Sequence, residues 1–113
     1  PQNYIEIRLA DTYLMEAEAF VQAGGDMGRA SGLLNAVRAR VGLGPVEPTL
    51  ENIYKERRLE LATEGHRYFD LVRTGRAATA LASSGFVAGK NEILPIPLDE
   101  LNNTQLVQNP GYQ

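Results

Sequence analysis

Glu56-Arg57-Arg58-Leu59-Glu60-Leu61-Ala62-Thr63-Glu64-Gly65-His66-Arg67-Tyr68-Phe69-Asp70-Leu71-Val72-Arg73-Thr74-Gly75 sets acids and arginines at helical spacing through an otherwise apolar segment. At about 100° per residue, Leu50, Ile53, Tyr54, Leu61, Tyr68, Leu71 and Val72 share one broad sector, and Arg57, Glu60, Glu64 and Arg67 fall inside or beside it. A charge beside a packed face needs a partner, because burying it alone is expensive. The order plus, minus, minus, plus offers partners three and four residues apart, Arg57 with Glu60 and Glu64 with Arg67, while Asp70 lies three residues from both Arg67 and Arg73. The segment reads as a structural ion network of Arg57, Glu60, Glu64, Arg67, Asp70 and Arg73 on a third, long helix ending near Arg73. Gly65 in its middle costs about 1 kcal/mol relative to Ala and implies close approach by another group.

Toward the N-terminus, Thr49 is the expected N-cap of this helix, Glu51 suits its positive end, and Pro45 to Pro48 forms a linker. A second helix is expected from Met27 to Val41, with Ala30, Leu33, Leu34, Val37 and Val41 inward and Arg29, Arg38 and Arg40 largely outward. Gly42-Leu43-Gly44-Pro45 stops it. A first helix spans about Tyr4 to Ala23, burying Leu9, Ala10, Tyr13, Leu14, Ala17, Phe20 and Val21, with Arg8, Asp11, Glu16 and Glu18 elsewhere. Gly24-Gly25 ends it and Asp26 caps the next. This hairpin resembles one tetratricopeptide-type unit of about 34 residues.

Toward the C-terminus, Ala77 to Ala82 predicts a brief helix that stops at Ser83-Ser84-Gly85, and Leu98 to Asn102 a single turn after Pro97. Glycines and prolines exclude long regular elements beyond Phe86, so the rest should lie extended over the helices. The expected fold is all-α: a tetratricopeptide-like hairpin (4–43) packed on a helical pair (49–85) formed by a long third helix and a short fourth, with an irregular tail (86–113). A single domain of 113 residues, 43% hydrophobic, has material for one modest core.

Several function classes are excluded. Net charge is −3 with arginines interleaved among acids, so no basic stripe is available for nucleic acid. The absence of Cys removes disulfides, thiolate metal sites and cysteine nucleophiles from this stretch. Apolar runs fall well short of the roughly 20 residues needed to span a bilayer. The chain opens at Pro1 and enters a helical pattern almost at once, which suggests a piece of something longer.

Glu60 and Glu64, one turn apart, invite a glycosidase reading, but arginine beside each would hold both ionised and leave no proton donor. His66 lacks Glu-x-x-His or His-Glu-x-x-His spacing, and Ser83 and Ser84 lack a nucleophile-elbow context. Gly85 to Asn91 has neither Ser nor Thr after Lys90, so it reads as a reversing turn, not a phosphate loop. Tyr4, Tyr13, Tyr54 and Tyr68 fall at core spacing, which leaves Tyr112, in the irregular tail, as the one tyrosine without that packing explanation. No catalytic, metal, cofactor or ligand-binding residue is assigned.

Five blocks occur in order: Arg8 to Ala19; Leu34 to Leu43; Glu56 to Leu61 with Gly65 to Leu71; Gly89-Lys90-Asn91 with Leu94-Pro95-Ile96-Pro97; and Gln108-Asn109-Pro110-Gly111-Tyr112. In this combination the chain resembles the C-terminal portion of the SusD/RagB family of outer-membrane nutrient-binding lipoproteins. The resemblance implies a tetratricopeptide-like helical scaffold, binding without catalysis, and no cofactor. It further implies capture of oligosaccharide, or in some members peptide, at the cell surface for uptake through a SusC-type TonB-dependent porin. Membrane attachment is implied for the longer protein alone, because the lipidated Cys is not in this stretch. A free-standing helical-repeat module that binds other proteins is the alternative.

Overall fold

The computed structural model describes residues 6–102 and 104–113, so the helix start expected at Tyr4 lies outside the described residues. All regular structure among them is helical: α1 (Leu9–Ala23), α2 (Met27–Arg40), α3 (Leu50–Glu60), α4 (His66–Arg73), α5 (Ala77–Ala80), a 3₁₀ turn (Ala82–Ser84) and α6 (Leu98–Leu101). They fall into two compact units, Pro1–Arg67 and Tyr68–Gln113.

In the first unit, Arg8 takes an extended conformation, and α1 therefore begins at Leu9. Gly24 closes α1 in the left-handed region, and the Gly25 amide donates to the Phe20 carbonyl at 2.8 Å. The Asp26 carboxylate accepts the Arg29 amide at 2.9 Å, and the Thr49 hydroxyl accepts the Asn52 amide at 3.2 Å, so both expected caps form. The core consists of Leu14, Ala17, Ala30, Leu33, Leu34, Val37 and Ile53, with Ala10, Tyr13, Phe20, Val21 and Val46 packed against it. Asn35 clamps the linker to α2: its side chain accepts the Val46 amide at 2.8 Å and donates to the Val46 carbonyl at 3.0 Å.

The expected inward and outward assignments need correction at both ends of the polarity scale. Leu9 is 64% exposed, whereas Asp11 and Glu18 on α1 are buried. Arg38 is largely covered as well, donating to Glu56 and to the Gly44 carbonyl. Hydropathy alone sends the acids outward, but partners on α3 make their burial favourable.

The long third helix is also corrected. It breaks after Glu60, and a five-residue turn separates α3 from α4. The Glu64 amide turns back to the Leu61 carbonyl at 3.2 Å, which frees the Glu60 carbonyl to accept Arg8 Nη2 at 2.7 Å. Thr63 and Gly65 carry the reversal at φ of +70° and +82°. No atom stands within 4 Å of a Cβ placed on Gly65, so this glycine serves backbone conformation and not close approach.

In the second unit, side chains hold the irregular backbone. Gln108 mimics a strand edge, accepting the Ile96 amide at 2.8 Å and donating to the Ile96 carbonyl at 2.9 Å. Asn109 donates to the Leu94 carbonyl at 2.7 Å. Asn91 is the hub: its side chain accepts the Val87 amide at 2.6 Å and donates to the Tyr112 hydroxyl at 3.2 Å, while its carbonyl accepts the Tyr68 hydroxyl. Lys90 lies 4.7 Å from the Tyr112 ring centroid, so Tyr112 is held on two sides. Gly111 has φ +85°, a conformation that favours glycine, and a Cβ there would press on the Lys90 side chain at 3.0 Å.

The turn yields a paired expectation. Gly65→Ala should lower stability by about 1–2 kcal/mol, because Ala resists the left-handed region, whereas Thr63→Gly should leave stability equal or higher. Urea denaturation of both variants checks this, and a neutral Gly65→Ala would show that the turn rearranges freely.

Candidate functional site

The most organised group of polar side chains is the seam between α1 and α3. These two helices run antiparallel in contact order: Arg8 meets Glu60 and Glu64, Asp11 meets Arg57, and Glu18 meets Tyr54. Residues 8, 11 and 18 stand at i, i+3 and i+10, and 54, 57 and 60 at i, i+3 and i+6, spacings that keep each set on one side of its helix. The seam is therefore written in two distant stretches of sequence at once.

Arg8 is its outer clamp. Nε and Nη2 fork onto the two Glu64 oxygens, both at 2.8 Å, and Nη1 reaches Glu60 Oε1 at 2.8 Å. The hydrogen bonds from Glu64, then those from Glu60, raise the Arg8 pKa still further above its ordinary value. Glu60 also takes Arg40 Nη2 at 2.8 Å on both oxygens, so one carboxylate ties the start of α1 to the end of α2. Burial pushes the Glu60 carboxyl up, but hydrogen bonds from Arg8 and Arg40 outweigh it and leave the pKa below the ordinary carboxylate value.

Deeper in, Arg57 Nη1 donates to Asp11 Oδ1 at 2.7 Å, with both residues buried. Glu56, which the helical pattern did not single out, is 3% exposed and accepts Arg38 Nη1 at 2.7 Å. Glu60 and Glu64 thus draw their arginines from α1 and α2 and not from along their own helix.

The remaining predicted network residues lie on α4. Asp70 accepts Arg73 Nη2 at 2.8 Å, as the i, i+3 spacing suggests, and Arg67 sits half-buried in the first turn. Chemically, Glu60 and Glu64 converge on one guanidinium, and the pairing favours the charged form of Glu60. Among the described residues no group of His, Asp and Glu has the geometry to hold a metal ion.

The model of the SusD family matches residues 1–112. This chain belongs to the SusD family. Among sequence relatives, SusD-like protein P2 of Formosa agariphila is 32% identical over 97% of this chain and 26% of its own length. The starch-binding protein SusD of Bacteroides thetaiotaomicron is 33% identical over 94% of this chain and 21% of its own. Among solved structures, a laminarin-binding SusD-like protein is 67% identical with a TM-score of 0.87, covering 94% of this chain and 22% of that one. Surface glycan-binding protein A of Bacteroides thetaiotaomicron in complex with laminarihexaose is 39% identical, also at 0.87, covering 96% of this chain and 25% of that one. The chain thus spans about a quarter of the length of the SusD-family proteins it matches. The likeness to these helical SusD-like structures bears out the all-α expectation, and the family match bears out the resemblance read from the five blocks.

Two expectations follow from the seam. Asp11→Ala should cost about 1–3 kcal/mol by removing the carboxylate that accepts buried Arg57 at 2.7 Å, and replacing both partners by Leu and Met should recover much of it, as urea denaturation of the set would show. For Glu60 the native pKa lies below the unfolded value near 4.5, so the unfolded chain binds the proton more tightly. The stabilisation is complete above that value and is lost as pH falls through the native pKa. Urea midpoints measured from pH 6 to pH 3 should fall with acid, and less steeply in Glu60→Gln.

Proposed function

We propose that this chain is the C-terminal scaffold of a cell-surface protein that captures a laminarin-type glucan and delivers it to a SusC-type TonB-dependent porin in the outer membrane. The observation that carries this reading is the high identity, over nearly the whole chain, to a SusD-like protein that binds laminarin. A second relative solved with laminarihexaose points to the same ligand class. The role assigned here is mechanical. The polar seam and the Asn91 hub use the carboxylates, guanidinia and amides for internal pairing, which suits a rigid support. The glucan-contacting surface belongs, on this reading, to the remaining three quarters of the polypeptide.

Calorimetry tests it. The longer polypeptide should bind laminarihexaose with at least about tenfold preference over maltohexaose, a difference of about 1.4 kcal/mol, and the 113-residue chain should bind neither. Preference for maltohexaose would move the ligand to starch, and tight binding by the 113-residue chain would move the site into these residues. Purification of the longer polypeptide from outer membranes without a TonB-dependent porin would remove the transporter from the proposal.

A further inference from the structure

Within the second unit, residues 105–113 are tied to residues 90–96 by side chains. Among the described residues, no backbone–backbone hydrogen bond joins this stretch to the chain before it, and the Tyr112 amide bonds inside the stretch, to the Asn109 carbonyl at 3.2 Å. The attachments are few and can be named. Gln108 holds the amide and carbonyl of Ile96, Asn109 holds the Leu94 carbonyl, and the Tyr112 hydroxyl accepts the Asn91 side chain. Lys90 over the Tyr112 ring adds one cation–π contact.

Apolar anchoring is thin. Leu106 and Val107 are 55% and 74% exposed, and the buried hydrophobic residues of the second unit, Leu71 and Ala77, lie far back in the chain. A segment with few buried contacts can open locally while the rest of a protein stays folded. Its detachment would reach beyond itself, because the Asn91 side chain that donates to Tyr112 also accepts the Val87 amide. Beside Asn91 lies an open pocket of about 300 Å³, where Tyr68, Leu81, Phe86 and Leu94 stand with Tyr112. Tyr112 is the lining residue that comes from the 105–113 stretch, so its departure takes away an aromatic wall.

We propose that residues 105–113 form a strap that opens as one unit while the rest of the second unit stays folded. The Asn91–Tyr112 contact is its latch, and the Tyr68–Phe86 pocket is complete only while the strap is shut. Gln108, Asn109 and Tyr112 fall within five residues of one another, and the turn from Asn109 to Tyr112 joins them. Their contacts therefore form and break together. The opening involves no residue of the α1–α3 seam, so it leaves the rigid part of the scaffold as it is.

Hydrogen exchange of the longer polypeptide, read residue by residue with electron-transfer fragmentation, tests both the opening and its unity. The Ile96 amide is an isolated reporter, because its neighbours Pro95 and Pro97 carry no amide hydrogen and its partner is Gln108. It should exchange at least about 100-fold faster than the Leu34 amide in the middle of α2. Tyr112→Phe removes the hydroxyl at Asn91 and leaves Gln108 in place. If the strap moves as one, this variant should speed Ile96 by about fivefold or more and leave Leu34 unchanged. Ile96 exchange as slow as that of Leu34 would show that the stretch opens only with the whole molecule. An Ile96 rate unmoved by Tyr112→Phe would show that the contacts break one by one. Either result overturns the proposal. Should Tyr112→Phe fail to fold, Lys90→Met reads the same coupling by removing the cation beside the ring.

Discussion

The pairing of Arg8 with Glu60 and Glu64 is the constraint on which the first unit depends. Three bonds to carboxylate oxygens and one to the Glu60 carbonyl bind the residue before α1 to the end of α3. That carbonyl is available because the helix stops at Glu60, and the helix stops because the chain turns through Thr63 and Gly65. A continuous helix would consume the carbonyl internally and hold Glu64 a full turn from Glu60 along the axis. The break and the clamp therefore require each other.

Burying charge in so small a unit is affordable because every member is answered. Among the described residues, no buried side-chain nitrogen or oxygen lacks a partner. The α1–α2 contact is mostly Leu, Ala and Val with one exposed ion pair, Glu16 with Arg29, which sets the distance between these helices but specifies register weakly. The α1–α3 contact is made of Arg8, Asp11 and Glu18 against Glu60, Arg57 and Tyr54, and a shift of one residue would strand all of them. The apolar contact supplies most of the stabilisation, and the charged one selects a single arrangement. In the scaffold role proposed above, that division would be useful, because rigidity matters more there than surplus stability.

Much of this was legible beforehand, for physical reasons that can be named. Caps at Asp26 and Thr49 follow from local side-chain chemistry, and both form. The termination at Gly24 follows from a left-handed C-cap, and the brief helices at 77–80 and 98–101 follow from Ala propensity and from Pro97. The charges of residues 56–64 need partners by their place beside the apolar face, but local spacing offers Arg57 for Glu60 and Arg67 for Glu64, whereas the bound partners of these acids are Arg8 and Arg40. Ion pairing within a helix competes with pairing across helices, and the second wins where burial lowers the dielectric and the geometry is bidentate. Tyr112 illustrates the same limit in the tail, since its partners Lys90 and Asn91 are about twenty residues away in sequence.

The sequence by itself determined that the chain is helical, where its hairpin turns, which family it belongs to, and that its acids and arginines would not stay apart. These properties rest on short-range preferences and on ordered blocks of residues. Tertiary structure alone decided that α3 ends at Glu60, that Asp11, Glu18 and Glu56 are inside while Leu9 is outside, and that Gln108 and Asn91 hold a strandless tail. Each of those outcomes turns on which distant group arrives beside a residue, and that is settled when the chain packs.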